Sequence, residues 1–181
     1  MSSTLAYDDR VGDATLTPSR RVAAGSALLA VACVLGLVEA ALPGLPFAPW
    51  LRFGFANIAV VIALAIFGGR IAAVVSIGRV AIVGLATGSL LGPTSVLAAA
   101  GAAASLAVMW LLARHVPGAS PVSWSAAGSA AHVVAQFGVA SALLGTGSLL
   151  VLAPPSVLVA LLLGAFVGYL ALVAASRLRN G

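Results

Sequence analysis

The stretch AVVSIGRVAIVGLATG, residues 73 to 88, is apolar or small at almost every position and carries Arg79 in its middle. A helix that spans a bilayer needs roughly 20 apolar residues at about 1.5 Å of rise each, and this stretch belongs to a segment of that kind. An arginine at the bilayer centre costs at least about 2.5 kcal/mol unless it faces a partner or a hydrated cavity. The fold must therefore place Arg79 beside a polar partner or a hydrated cavity.

The composition is that of an integral membrane protein. Of the 181 residues, 62% are hydrophobic and 7% are charged, and the mean hydropathy is +1.18. A soluble domain of this length cannot cover its surface with so few charges. The basic residues are all arginine, and most lie at the ends of apolar runs, where such residues set the orientation of helices. We therefore assign the positive charge to membrane topology and expect no nucleic-acid partner.

Apolar segments separated by Pro- and Gly-rich breakers predict an all-α integral membrane protein with six transmembrane helices. The second segment is short, which predicts a tilted helix or a partly re-entrant start. Residues 1–19 have no apolar periodicity and are expected to form a mobile tail. Residues 20–181 then form one transmembrane domain. The predicted segments are 22–42, 53–69, 71–91, 94–114, 122–146 and 156–176.

The arginines predict how these helices are oriented. When six helices alternate across the bilayer, Arg52 alone falls on one side, and the other arginines outside the bilayer centre fall on the opposite side. The positive-inside rule then places both termini in the cytoplasm, and we expect the first helix to be retained in the mature protein. The arginines on the cytoplasmic side are Arg10, Arg20, Arg21, Arg70, Arg114, Arg177 and Arg179.

Glycines recur at helical spacing in two segments. Gly84, Gly88 and Gly92 follow one another at intervals of four, as do Gly164 and Gly168 in the last segment. Small residues at this spacing allow the backbones of neighbouring helices to approach closely. The pattern predicts tight helix packing at both places.

Several polar side chains are predicted to lie inside the membrane at similar depths. Arg79 lies nine residues beyond Arg70, roughly 13 Å along the helix axis. His132 lies about ten residues into the fifth helix, and Gln136 follows one turn later on the same face. Together they predict a ligand-binding pocket that begins near the midplane and opens outward. The set also includes Glu39 near the outer end of the first helix, with Arg52 and Asn57 lining the entrance.

Arginine, histidine and amide side chains favour a ligand with an anionic or strongly hydrogen-bonding head. Aromatic residues between positions 50 and 55 would cover an apolar part of that ligand. The alternative is a structural role. Glu39 would then form a buried ion pair with Arg79, and His132 and Gln136 would hydrogen-bond to neighbouring helices. The residues alone leave both interpretations open.

The sequence argues against several kinds of chemistry. It has no phosphate-binding glycine loop followed by lysine, so the chain is not expected to hydrolyse ATP itself. No histidines or carboxylates occur at ligand spacing, so no metal site is expected. The aspartates lie in the tail, and no intramembrane acidic cluster is available for the magnesium that diphosphate chemistry requires. We therefore expect a non-catalytic chain without a cofactor.

Three motifs are distinctive: WLRFGFANIAVVIAL (50–64), with its basic-x-Gly-x-Ala-Asn pattern, GRVAIVG (78–84) and AAGSAAHVVAQFGVASALL (126–144). They resemble the Gx transporter family of small bacterial membrane proteins, many of which bear the name heptaprenyl diphosphate synthase component I. Glu39 also fits the pattern of that family. Val133 departs from it, because members often have Asn after the histidine.

The resemblance covers residues 25 to 176, and such proteins are similar to the substrate-binding S components of energy-coupling factor transporters. It implies that the protein takes up a small molecule, and that it lies in the bacterial cytoplasmic membrane in contact with lipid. The implied partners are a transmembrane coupling subunit, docked through Ala23-x-x-x-Ala27, and two ABC ATPases. The name implies the alternative, a non-catalytic membrane subunit that supports polyprenyl diphosphate or quinone synthesis.

Overall fold

A computed structural model describes residues 17–42 and 54–180, which form α-helices and one short 3₁₀ turn and contain no strand. The predicted all-α fold is confirmed. Most of the predicted tail and the position of Arg52 lie outside the described residues. The helices are α1 (Pro18–Ala41), α2 (Asn57–Phe67), α3 (Gly69–Ala86), α4 (Pro93–His115), α5 (Pro121–Leu144) and α6 (Ala153–Asn180), and the 3₁₀ turn is Ser148–Leu152.

Five of the helices in the described part of the chain are long and apolar enough to cross a membrane, namely α1, α3, α4, α5 and α6. The chain is therefore a multi-pass membrane protein. Helix α2 has 11 residues and is about 16 Å long, roughly half of the hydrocarbon thickness of a bilayer. The expectation of a short second segment is confirmed, but its helix begins at Asn57 rather than at residue 53.

Proline and glycine set the helix boundaries. Pro18, Pro93 and Pro121 occupy the first position of α1, α4 and α5, where the missing N–H group costs no helical hydrogen bond. Gly68 separates α2 from α3 with a φ of 83°, and Gly145 ends α5 with a φ of 64°. Residues with a side chain rarely adopt these left-handed conformations. The prolines therefore mark where helices begin, and the glycines mark where helices end.

The helices pack as two groups joined through α2. Helices α1, α2 and α3 contact one another, and α5 packs along both α4 and α6. Helix α2 also contacts α5 and α6, while α3 contacts α4. All residues from Ala59 to Leu64 of α2 are buried, so this helix is enclosed by protein. Its apolar side chains form most of the core together with α3 residues such as Val75.

Two glycines bring α5 and α6 into close contact. A Cβ atom added at Gly164 or Gly168 would lie 2.7 Å from backbone atoms of α5, so the predicted tight packing is confirmed there. The prediction was wrong for Gly88 and Gly92. Helix α3 ends at Ala86, and Gly88 adopts a φ of 69° in the connection to α4, so these two glycines form a turn instead of a helix face.

Candidate functional site

A cavity of about 570 Å³ lies between the two helix groups, and each of the six described helices contributes to its lining. We call it the central cavity. Five of the six residues predicted to bind a ligand line it together. The sixth, Arg52, lies outside the described residues. The five are Glu39, Asn57, Arg79, His132 and Gln136.

Arg79 lies in the middle of α3. It is ten residues beyond Gly69, where the helix starts, which is about 15 Å along the axis. Its Nε atom is buried and has no hydrogen-bond partner among the described residues. No ion pair within 4.0 Å joins it to Glu39, so the buried Glu39–Arg79 pair considered from the sequence is not formed. The guanidinium group therefore borders an open space with an unsatisfied donor.

Glu39 holds the end of α1 against the turn that precedes α2. Its side chain is 7% exposed, and its carboxylate oxygen Oε1 accepts a hydrogen bond from the backbone N–H of Phe55 at 2.8 Å. The same turn closes with a hydrogen bond of 2.9 Å from the Asn57 N–H to the Gly54 carbonyl oxygen. Since Glu39, Gly54 and Asn57 all line the central cavity, this contact fixes part of its wall.

Helix α5 presents one polar face to the central cavity. Ser129, His132 and Gln136 line it, and their spacing of three and four residues places them on one side of the helix. The ring of His132 lies against Gly101 of α4, where an added Cβ atom would come within 2.7 Å of the ring atoms Cε1 and Nε2. The imidazole keeps its position because residue 101 has no side chain.

The start of α2 lies at the central cavity. At the other end of that helix, Arg21 Nη2 of α1 donates a hydrogen bond of 3.4 Å to the Phe67 carbonyl oxygen, so α2 ends at the level where α1 begins. With a length of about 16 Å, α2 brings Asn57 to the central cavity, and Phe55 just before it contacts Glu39 near the end of α1. The N-terminal end of α2 therefore forms part of the wall of the central cavity.

Hydroxyl groups are the part of the lining that the sequence analysis missed. Ser105 and Ser129 face the central cavity from α4 and α5, and Ser105 is buried. A signal was present, because Ser129 lies three residues before His132 and shares its helix face. Ser105 lies ten residues beyond Ser95, the nearest other hydroxyl of the alanine-rich helix α4, and gave no such signal. Further hydroxyls come from Thr87, Ser89, Thr94 and Ser95.

The lining combines hydrogen-bond donors with apolar surface. The guanidinium of Arg79 and the amides of Asn57 and Gln136 offer donors, while Val83, Val133 and Leu163 provide apolar walls. Val133 is buried and belongs to this apolar part. Within the described residues no group of three or more His, Cys, Asp or Glu side chains is placed to hold a metal ion. This arrangement suits a small molecule with a polar head.

Comparison with known proteins identifies the family of the chain. No curated protein and no solved structure gives a significant match. The family model described as heptaprenyl diphosphate synthase component I matches residues 28–173. The match spans most of the chain and includes every predicted ligand-binding residue. The chain therefore belongs to the heptaprenyl diphosphate synthase component I family.

Proposed function

We propose that this protein is the substrate-binding membrane subunit of a small-molecule uptake transporter, similar to an S component, and that its ligand binds in the central cavity. The observation that carries the proposal is Arg79, which lies at mid-depth in α3 beside the cavity with a buried, unpaired Nε atom. Ionisable groups inside a membrane are costly and commonly mark ligand or ion pathways. A bound acceptor would satisfy this donor.

The size of the cavity supports a small organic ligand. A volume of about 570 Å³ falls within the range of roughly 300–1,000 Å³ that small-molecule sites occupy. Leaving a buried donor unsatisfied costs about 1–3 kcal/mol, and a ligand oxygen at Arg79 would remove that cost. The size of the cavity and the unsatisfied donor thus both support a small ligand with an acceptor group.

The chemistry of the lining defines the class of ligand. We expect Arg79, His132 and Gln136 to contact an anionic or strongly hydrogen-bonding head, because all three line the cavity. Glu39 would contact the ligand from the cavity wall, and Asn57 at the start of α2 would line the entrance. The apolar part of the ligand would lie against Val83 and Leu163.

Uptake requires partners, because the sequence has no nucleotide-binding motif. A transmembrane coupling subunit and two ABC ATPases would supply the energy that reorients the helices and releases the ligand. Ala23 and Ala27 are exposed on α1 and are separated by one helical turn, so they would let a partner helix approach closely. In this proposal both termini are cytoplasmic, the protein lies in the bacterial cytoplasmic membrane, and the cavity opens outward.

The direct test is mass spectrometry of small molecules retained by the purified protein. The wild type should carry a ligand that Arg79→Ala loses, because the substitution removes the unpaired guanidinium. Arg177→Ala is the matched control, since Arg177 is exposed near the end of α6 and does not line the cavity. If Arg79→Ala keeps the same ligand at the same occupancy as the wild type, the site assignment is wrong.

The family description favours a second candidate, a non-catalytic membrane subunit that supports polyprenyl diphosphate or quinone synthesis. The two candidates differ in their partners. Co-purification with ABC ATPases and a transmembrane coupling subunit would support uptake, whereas co-purification with a soluble prenyltransferase would support the alternative. Magnesium-dependent diphosphate turnover by the isolated chain would contradict both, because both proposals describe a chain that is not an enzyme on its own.

A further inference from the structure

A second and larger cavity, of about 1170 Å³, lies between α3 and α4. We call it the α3–α4 groove. It is next to the central cavity, and Val80 and Ser95 line both. None of the five described residues assigned to the ligand lines the groove. The groove is therefore a different site from the one proposed for the transported ligand.

Small and apolar side chains form the walls of the groove. On α4 the exposed residues Ala99, Ala103 and Ala107 follow one another at intervals of four and make a continuous stripe on one helix face. On α3 the facing wall includes Ala73 and Ile77, and Ile77 is 67% exposed. Because both helices are long and apolar enough to cross a membrane, this groove opens toward the hydrocarbon region.

One end of the groove is strongly basic. Arg21, Arg70 and Arg114 line that end, and the described residues that line the groove include no acidic side chain. The guanidinium carbon of Arg114 lies 5.5 Å from the centroid of the Trp110 ring, which also lines the groove. Arg70 is exposed at the start of α3. Three arginines and a tryptophan that line one end of a groove between two apolar helices suit an anionic headgroup at the membrane surface.

The length of the groove fits a lipid chain. Its lining on α3 runs from Gly69 to Ala81, a distance of about 18 Å along the helix. One leaflet contributes about 15 Å of hydrocarbon, half of the bilayer core. The basic end and the apolar trough are therefore spaced like the phosphate and one acyl chain of a phospholipid.

We propose that the α3–α4 groove binds one anionic phospholipid, with its phosphate on Arg21, Arg70 and Arg114 and an acyl chain along the alanine stripe of α4. The bound lipid belongs to the leaflet on the side of the three arginines. It is held at a specific site, unlike the other lipids that surround the helices. The proposal does not depend on the transport function.

Native mass spectrometry of the detergent-solubilised full chain tests this proposal. The probes are phosphatidylglycerol and phosphatidylcholine with identical acyl chains. The wild type should retain phosphatidylglycerol in preference to phosphatidylcholine, and Arg70→Ala with Arg114→Ala should reduce that preference by about five-fold for each arginine removed. Arg177→Ala, an exposed arginine outside the groove, should leave the preference unchanged.

A second variant fills the groove without changing its charge. Ala103→Phe places a ring in the alanine stripe and should reduce retention of both lipids at this site. Leu111→Phe is the matched control, because Leu111 is 47% exposed on α4 and does not line the groove. Gel filtration and circular dichroism would verify that each variant is folded.

Two results would overturn the proposal. Equal retention of the two lipids by the wild type, unchanged in the arginine and Ala103→Phe variants, would mean that only surrounding lipid is bound. Retention of phosphatidylglycerol only after deletion of residues 2–16 would mean that the aspartate-containing N-terminal segment occupies the groove instead. The readout is a lipid, so failure here leaves the small-molecule test of the central cavity unaffected.

Discussion

The imidazole ring of His132 on α5 lies directly against Gly101 on α4, so that a Cβ atom at position 101 would come within 2.7 Å of ring atoms Cε1 and Nε2. This contact places the histidine at the wall of the central cavity. The contact also couples α4 to the candidate site, because any side chain at residue 101 would displace the His132 ring from the cavity wall.

The first prediction follows from this contact. Gly101→Ala should lower ligand occupancy about ten-fold, equivalent to about 1.4 kcal/mol, since the added methyl group moves His132 away from its position. The measurement is the amount of small molecule retained by the purified variant. Gly138→Ala on α5 is the control, because a Cβ atom there meets nothing within 4 Å. Equal losses in the two variants would contradict a specific effect on His132.

The second prediction concerns the contact between α5 and α6. Gly168→Ala should destabilise the protein by about 1–3 kcal/mol, the usual cost of overpacking, because the new Cβ atom would lie 2.7 Å from the Pro121 carbonyl oxygen and the Val122 Cα atom. Backbone atoms cannot turn aside as a flexible side chain does. Thermal unfolding in detergent measures the effect. An unchanged melting temperature would show that the helices separate without cost at this point.

The third prediction concerns the hydrogen bond from the Phe55 N–H to Glu39 Oε1, 2.8 Å long. Glu39→Ala removes this acceptor and should cost about 1–3 kcal/mol, whereas Glu39→Gln keeps an oxygen in place and should cost less. Hydrogen exchange of the Phe55 amide, followed by mass spectrometry, should be faster in the alanine variant. Identical exchange in the alanine variant and the wild type would mean that the bond does not hold this turn.

The fourth prediction concerns topology. In a Cys33→Ala background, Leu91→Cys should react with a membrane-impermeant maleimide in intact cells, whereas His115→Cys should react only after permeabilisation. Leu91 is 99% exposed just before α4 and His115 is exposed at the end of that helix, so the two sites lie at opposite ends of one span. The reverse labelling pattern would place the arginine end outside the cell.

Much of the fold is predictable from the sequence because its signals are strong and local. Long apolar runs fix helices of spanning length, and prolines at positions 93 and 121 fix where α4 and α5 begin. The end of α3 is harder to predict, since residues 84–92 carry both a helical glycine spacing and turn residues. In the structure α3 ends at Ala86 and the following residues form a turn. The Thr87 hydroxyl donates a hydrogen bond of 2.8 Å to the Val83 carbonyl oxygen at this end.

The candidate site is predictable only in part. Arg79, His132 and Gln136 stand out because polar groups are rare in an apolar chain, and the structure gathers them around one cavity. The contact between His132 and Gly101 joins residues far apart in sequence and leaves no local pattern. The α3–α4 groove depends in the same way on the separation of two helices, which alanine content alone does not determine.

The short length of α2 has an electrostatic consequence for the central cavity. The aligned peptide dipoles of a helix give its N-terminus roughly half a positive charge, and α2 starts at Asn57, which lines the cavity. The first two N–H groups of the helix already donate to the preceding turn, so the dipole acts through its field. Part of the attraction for anions therefore belongs to the backbone, and substituting side chains would leave that part intact.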